Sequence, residues 1–416
     1  GVIGCAAPLI VRPIASYLTL DAFVFQSGSA LIFFSSFAAV LIIFAVPLCL
    51  LGMVSPFVIR LYTQDQHIGE SSGTVFAIST VGSIMGTFLP TLWLIPTFGT
   101  NATIISAGAA LIILGSWVMV RTMKARAVVS VLLAVLVATA GTMTIRKTSA
   151  TLYEAESPYH YIRVEEASDK TRVLLFNEGL GVQSYYHPDR VVFGSYYDYF
   201  AALPLLFDQG KPLDVLIVGL AGGTISRQLS HFYGERLHID GVEIDAKVLD
   251  AAHRYFDLAR PNLTVYNEDG LTYLARSEKQ YDIIIIDAYQ NQLYIPWVMT
   301  TKEFWELVSD RLSTRGIAAI NIAGNPSSQL VRAITNTEAL VFPTVMAAET
   351  GEGELNTIVI ASNTPLNITA VADTHYPQEL QSVVEWLHTH AYSVVHKPED
   401  RVLTNDRAPV EFLTDG

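Results

Sequence analysis

Asp214-Val-Leu-Ile-Val-Gly-Leu-Ala-Gly-Gly-Thr224 is the stretch on which the fold turns. A short, mainly apolar run is closed by a glycine-rich turn and followed at once by a helix beginning near Ile225. Such a run reads as a strand buried on both faces, as parallel strands are. Working outward, the same unit repeats. Strand 237–242 ends in Glu243-Ile-Asp245 and leads into a helix through Tyr255. Strand 263–266 leads to Glu268-Asp269-Gly270, and strand 282–286 ends at Asp287. Helix 301–312 and strand 317–322 follow, and strands near 343–348 and 355–361 complete the sheet with an antiparallel edge. This alternation predicts a doubly wound, Rossmann-like α/β sheet. Ahead of it, residues 151–187 read as short strands, 161–165 and 172–176, around an Asn177-Glu-Gly179 turn. The expected division is a helical region over 1–147, a small β element over 151–200 and the α/β domain over 201–416.

Composition supports the division. The chain has 416 residues, 51% of them hydrophobic and 16% charged, too apolar for one ordinary soluble domain. Residues 1–150 carry a net charge of +4 and the remainder −17. The acidic half argues against nucleic acid as a partner and suits a cationic substrate. In the first half, the runs 22–59, 71–120 and 127–145 hold no charge. With about 20 apolar residues needed per span, they predict helices near 29–53, 74–95 and 102–120, broken at Pro96-Thr-Phe-Gly-Thr-Asn101, and one more in the third run. Residues 4–20, interrupted by Arg12-Pro13, read as a span end or a re-entrant piece. The region therefore predicts a multi-pass membrane protein in contact with the lipid bilayer. Gly73, Gly82 and Gly86, with Ser79 and Ser83 among them, suit close helix packing in lipid. The sequence opens without Met and without a basic leader, so the expectation is a chain begun inside a longer protein, not a signal peptide.

Orientation is contested by the charges. Arg60, Arg121, Lys124 and Arg126 share one predicted face, and Arg146 and Lys147 lie on the face from which the acidic half leaves. The positive-inside count leans towards an exported domain. The expectation kept is a plasma- or inner-membrane protein with a cytoplasmic α/β domain, against that count. Cys5 and Cys49 both lie in the apolar half and give no disulfide framework. His160, His187 and His253 have no zinc spacing, so no metal is expected.

Ligands of doubly wound sheets bind at the carboxyl ends of the strands. Gly219, Gly222 and Gly223 let the backbone approach a ligand at the first turn. Glu243, 24 residues past Gly219, stands where a carboxylate accepts hydrogen bonds from ribose hydroxyls. Asp269, at the third strand end beside Gly270, is placed for an adenine amino group. Together these predict an adenosine-containing ligand. The turn is not a full G-x-G-x-x-G and no P-loop lysine follows, which lowers dinucleotides and ATP. Each residue also has a structural alternative: Asp287 as a helix or loop cap, Glu243 as a surface group, Tyr196, Tyr197 and Tyr199 as packing, Asp406 as a turn cap.

Over residues 156–411 the sequence resembles the spermidine synthase family of aminopropyltransferases, which share the fold of class I S-adenosylmethionine-dependent methyltransferases. The resemblance rests on Ser157-Pro-Tyr-His-Tyr-Ile162, Asn177-Glu-Gly-Leu-Gly-Val-Gln183, Tyr196-Tyr-Asp198, Ser226-Arg-Gln228, Val242-Glu-Ile-Asp245, Glu268-Asp-Gly270, the segment 281–289 and Leu403-Thr-Asn-Asp-Arg-Ala-Pro-Val-Glu411. Leu51-Gly-Met-Val-Ser-Pro56, Ile295-Pro296 and Thr300-Thr-Lys-Glu-Phe304 look like its membrane-bound branch. The resemblance implies Asp287 as the catalytic carboxylate, Glu243 on the ribose and Asp269 on the adenine. It implies Gln183 and Tyr196 as pocket lining, with Asp198, Tyr289 and Gln290 on the acceptor side. The co-substrate would be decarboxylated S-adenosylmethionine and the acceptor a small amine.

Two departures stand out. The family's turn aspartate, which holds the donor's amine, is Gly222 here, and a second acceptor-side aspartate is Gln290. Gln228 and His160 replace a Glu and a Gln. The sequence therefore leaves three readings open: an aminopropyltransferase, a methyltransferase using intact S-adenosylmethionine, or a catalytically silent module of a membrane assembly. A homo-oligomer is compatible with each.

Overall fold

The computed structural model describes residues 29–62, 68–120, 150–177, 179–290, 294–351 and 355–414. The spans expected within 4–20 and 127–145, Cys5, and the bases Arg146 and Lys147 lie outside the described residues. The chain divides into two compact units, the helical residues through Val120 and the α/β residues from Ala150 on, with 156–158 grouped with the first.

The helical unit comprises α1 (Ser29–Gly52), α2 (Val54–Tyr62), α3 (Ile68–Leu89), a π-helical turn Pro90–Leu94, α4 (Ile95–Phe98) and α5 (Thr100–Val120). The stretches Phe44–Leu61 and Gly69–Phe98 are long and apolar enough to cross a membrane, and Ala102–Trp117 is a shorter apolar helix. Neither long stretch buries its side chains within the protein. Thr74, Thr80, Thr87 and Thr91 each donate their hydroxyl to the carbonyl four residues back. The expected break over 96–101 is narrower than its composition suggested. Helix continues through Phe98, and the chain interrupts at Gly99, whose φ is 84°. Pro90 lacks the N–H that would continue the ladder, and the backbone widens into the π turn there.

The α/β unit opens with a four-stranded sheet, β1 (Thr151–Glu156), β2 (Tyr161–Glu166), β3 (Arg172–Phe176) and β4 (Val182–Tyr186). The Asn177–Gly179 turn does not join the two strands expected around it. Residues 167–171 do, where Asp169 accepts hydrogen bonds from the Thr171 amide and hydroxyl, while the 177–179 turn carries the chain from β3 to β4. Asn177 and Gly179 both have positive φ, 46° and 79°.

The main sheet has eight strands in the order β12-β10-β11-β9-β8-β5-β6-β7. These are β5 (Leu213–Val218), β6 (Leu237–Glu243), β7 (Leu263–Asn267), β8 (Tyr281–Ile286), β9 (Leu312–Ala323), β10 (Thr344–Glu349), β11 (Asn356–Ser362) and β12 (Tyr392–Val394). Strands β5 to β9 pair in parallel, and β11, β10 and β12 add an antiparallel edge. Helices α6 (Tyr197–Ala201), α7 (Thr224–Tyr233), α8 (Ala246–Tyr255), α9 (Gly270–Arg276), α10 (Lys302–Arg311), α11 (Gln329–Val341), α12 (Gln381–His390) and α13 (Val410–Thr414) complete the unit. The unbroken apolar strands follow from burial on both faces. Val215, Ile217, Ile283, Ile285, Ile317 and Ala319 belong to one core, and their alternates Leu216, Val218, Ile284, Ile286, Ala318 and Ile320 to the other. Residues 197–203 pack into the first core, so α6 is part of the large sheet's packing and not of the small β element. The chain leaves β5 for β6 on one side and returns to β8 on the other. That reversal is the switch point at which such sheets form their crevice.

Candidate active site

The glycine turn between β5 and α7 is shaped by steric necessity. Gly219 has φ 91°, and a Cβ there would lie 2.3 Å from the Asp287 carbonyl oxygen. The backbones of the β5 and β8 termini therefore touch across the switch point. Gly223 caps α7 in the left-handed region, and Gly270 begins α9 so close to β5 that a Cβ would meet Val218 Cγ1 at 2.4 Å. A Cβ on Gly222 would fall 2.7 Å from the Ser184 Cβ, and the Ser184 hydroxyl accepts the Gly222 N–H at 2.8 Å. Ser184 occupies the space a side chain at 222 would need.

Glu243 ends β6 directly beside this turn. Its Oε2 accepts the Ala221 N–H at 2.9 Å and its Oε1 the Asp245 N–H at 3.0 Å. Burial pushes its carboxyl up, while those two amides pull it down. Each oxygen keeps a second lone pair, so a carboxylate fixed this way can still accept from a vicinal diol. Asp245 caps α8 and lies 3.4 Å from His160 Nδ1, and His160 stacks on Phe176 at 4.1 Å.

Asp287 follows β8, on the strand face of Ile283 and Ile285. Its Oδ2 accepts from the Tyr196 hydroxyl at 3.2 Å and its Oδ1 from Asn321 Nδ2 at 3.3 Å. Burial pushes the carboxyl up to about 7, against the opposing pull of these two hydrogen bonds. Tyr196 is held by Tyr197 at 4.0 Å between ring centroids and by Phe200 edge-on. The Tyr289 hydroxyl donates to the Asn321 carbonyl at 2.8 Å. Burial and the neighbouring carboxylate push both phenols up, so both are neutral donors. Among the described residues, no group of three or more His, Cys, Asp or Glu is arranged to hold a metal ion.

The structure thus brings Gly219, Gly222, Gly223, Glu243, Tyr196, Asp287 and Tyr289 to one strand edge. Four more of the expected site residues have hydrogen-bond partners within the chain. Asp198 is buried and spends its carboxylate on the Phe193, Gly194 and Ser195 amides and on Gln228 Nε2 at 2.6 Å. It organises the loop that presents Tyr196. The amide of Gln228 is explained by the same bond, since a Glu there could not donate to it. Asp269 caps α9, its Oδ1 accepting the Thr272 amide and hydroxyl, each at 2.8 Å. Gln183 sits at a bulge of β4, its side chain donating to the Gly181 carbonyl at 3.3 Å. Gln290 is exposed and exchanges backbone hydrogen bonds with Tyr294. Asn321 and its neighbour Asn356 were not expected at all. The one sequence signal for Asn321 is a polar residue inside the otherwise apolar run 317–322.

Residues 194–349, the segment carrying this constellation, match the spermine/spermidine synthase domain. The α/β unit is spermidine synthase-like. It is 33% identical over 283 residues to a probable polyamine aminopropyl transferase of Bifidobacterium longum (strain NCC 2705), covering 63% of this chain and 61% of that protein. It is 34% identical over 181 residues to a polyamine aminopropyltransferase of Vibrio vulnificus (strain CMCP6), covering 42% and 59%. The chain therefore matches about three fifths of the length of these relatives. The fold is similar to the crystal structure of a probable spermidine synthase from Corynebacterium glutamicum ATCC 13032, with a TM-score of 0.50 at 17% identity over 64% of this chain and 99% of that one. That structural likeness concerns the spermidine synthase-like fold alone.

Proposed function

We propose that the α/β unit transfers an aminopropyl group from decarboxylated S-adenosylmethionine to a small amine, and that the helical unit anchors it to a bilayer. The observation that carries the reading is the pairing across one glycine turn of Glu243, held as an acceptor by two backbone amides, with Asp287, held by two neutral donors. Glu243 would take the ribose hydroxyls and bring the sulfonium to the Gly219 turn. The acceptor's ammonium would lie against Asp287. An amine attacks only when neutral, so a carboxylate raised to about 7 is a better proton acceptor than an ordinary one. The amine nitrogen then attacks the methylene carbon beside sulfur. The C–S bond breaks with its electron pair going to sulfur, methylthioadenosine leaves as a neutral thioether, and Asp287 takes the proton lost from nitrogen. In-line placement contributes most of the remaining acceleration. The names and length of the matched relatives support the reading.

Gly222 favours a second reading. With Ser184 filling its side-chain space, no carboxylate can sit in the turn to hold an aminopropyl ammonium, so intact S-adenosylmethionine and methyl transfer fit that end of the site as well. The deciding experiment incubates the purified full chain with each donor and a pool of amines, and identifies the nucleoside product by mass spectrometry. Methylthioadenosine, abolished by Asp287→Asn, is the expected result. S-adenosylhomocysteine would establish the second reading, and no product with either donor would leave a silent module.

A further inference from the structure

Asp287 is oriented from farther away than its own contacts. Asn321 and Asn356 are diagonal neighbours on the antiparallel pair β9–β11, where Asn321 faces Ile358 and Asn356 faces Ala323. A diagonal pair lies on one face and within reach of its side chains. It is the face of Ile317 and Ala319, whose apolar run ends in a polar pair at the crevice. Asn356 Nδ2 donates to Asn321 Oδ1 at 2.8 Å, and Asn321 Nδ2 donates to Asp287 Oδ1 at 3.3 Å.

An asparagine amide has one accepting and one donating end, and the two ends are told apart by the network around them. If the Asn321 amide were reversed, its oxygen would face the Asp287 carboxylate and its NH2 would face the NH2 of Asn356, two repulsive contacts. The direction of donation, Asn356 to Asn321 to Asp287, is the one that suits an ionised Asp287. Tyr289 pins the backbone of the middle member through the Asn321 carbonyl. Asn356 itself reaches Asp287 only through Asn321.

We infer that Asn356 is a positioning residue of the active site: its side-chain amide locks the Asn321 amide with the NH2 turned to Asp287, and so sets the direction and the charge state of the catalytic carboxylate. The inference rests on the role proposed for Asp287 but not on the identity of the acceptor. Without Asn356, nothing in the pair β9–β11 holds Asn321 Oδ1, the amide can turn, and the ionised form of Asp287 loses a donor.

The test is the titration of the Asp287 carboxyl in the full chain. It is read by isotope-edited infrared spectroscopy as the carboxyl signal that disappears in Asp287→Asn. Asn356→Leu keeps the size of the side chain and removes both amide ends. The expected result is a rise in the Asp287 midpoint of about one pH unit, the scale of one lost hydrogen bond to a charged group, with methylthioadenosine affinity within twofold of the parent. Asn356→Gln, which retains the donor, is expected to restore part of the shift. An Asp287 midpoint unmoved in a folded Asn356→Leu protein overturns the inference. If Asn356→Leu does not fold, Asn356→Ala, which also lacks a donor, is read in the same way. Because the titration needs no turnover, it separates this inference from the transferase reading. A chain that yields no product with either donor would sink the latter and still report the Asp287 midpoint.

Discussion

Asp287 has to be ionised to receive a proton and yet is placed where ionisation is costly. The desolvation that raises it to about 7 makes the pH dependence of transfer a direct reading of its state. As the base it must be deprotonated, so kcat/KM is expected to rise with pH through about 7 and to level off above it. A profile measured between pH 5.5 and 8.5 checks this, and an acid limb near 4 would remove Asp287 from the role. Asp287→Asn keeps the donors Tyr196 and Asn321 in place while abolishing the base, and is expected to lower kcat by roughly 10²- to 10⁴-fold. Nucleoside affinity, which the proposed function assigns to Glu243, should barely change. At this scale the sequence was legible for position at a strand end, as for Gly219, Glu243 and Asp287. It was not legible that Asp198 and Asp269 bond to the backbone of their own loops. A carboxylate in a motif looks the same whether it meets a substrate or a backbone amide, and only the hydrogen bonds of the loops 193–195 and 269–272 separate the two. Asn321 was missed for the converse reason. Its partner Asn356 is 35 residues away, and the register of β9 on β11 that joins them cannot be read from either strand alone.

At the scale of elements, the same alternation that buries the strands explains an anomaly in α11. Glu338 is 1% exposed, on the helix face that carries Val331 and Ile334 of the second core. Among the described residues, neither of its carboxyl oxygens has a hydrogen-bond partner, and burial pushes the carboxyl far above the ordinary 4.5. A carboxyl more basic in the folded than in the unfolded chain means that the folded state binds more protons at and above pH 4.5. Its contribution to stability therefore falls as pH rises from there. Glu338→Met replaces an unpaired polar group by an apolar one of similar length. It is expected to stabilise the α/β unit by about 1–3 kcal/mol at pH 7, and by less at pH 4.5, where the parent bears the cost of an unpaired neutral carboxyl but not that of its ionisation equilibrium. Thermal unfolding of both proteins at the two pH values measures this, and a gain equal at both would refute the linkage. The parallel strands other than β9, which begins five residues before the expected 317, were legible to within a residue or two, because unbroken runs such as 282–286 leave little choice of element. The strand β12 and the path of the Asn177–Gly179 turn were not, since both are fixed by pairing partners distant in the sequence.

For the whole molecule, the charge division at residue 150 has a physical consequence. The acidic half closes two cores on either face of one sheet and a smaller one over β2 and β3. The apolar half leaves Phe76, Ile78, Trp93 and Trp117 each more than half exposed. A unit of the first kind is stable in water by itself, because its apolar surface is already covered. In a unit of the second kind some thirty consecutive residues, Gly69–Phe98, are long and apolar enough to cross a bilayer, the anchorage proposed above. The fragment 150–416 is therefore expected to remain soluble without detergent, to unfold in one cooperative transition and to bind methylthioadenosine with the affinity of the full chain. The full chain is expected to sediment with membranes after alkaline carbonate washing and to be released by detergent. Full chain released by carbonate alone would mean that the apolar helices are covered by protein and not by lipid. A fragment that aggregates would mean that the α/β unit depends on them for more than anchorage.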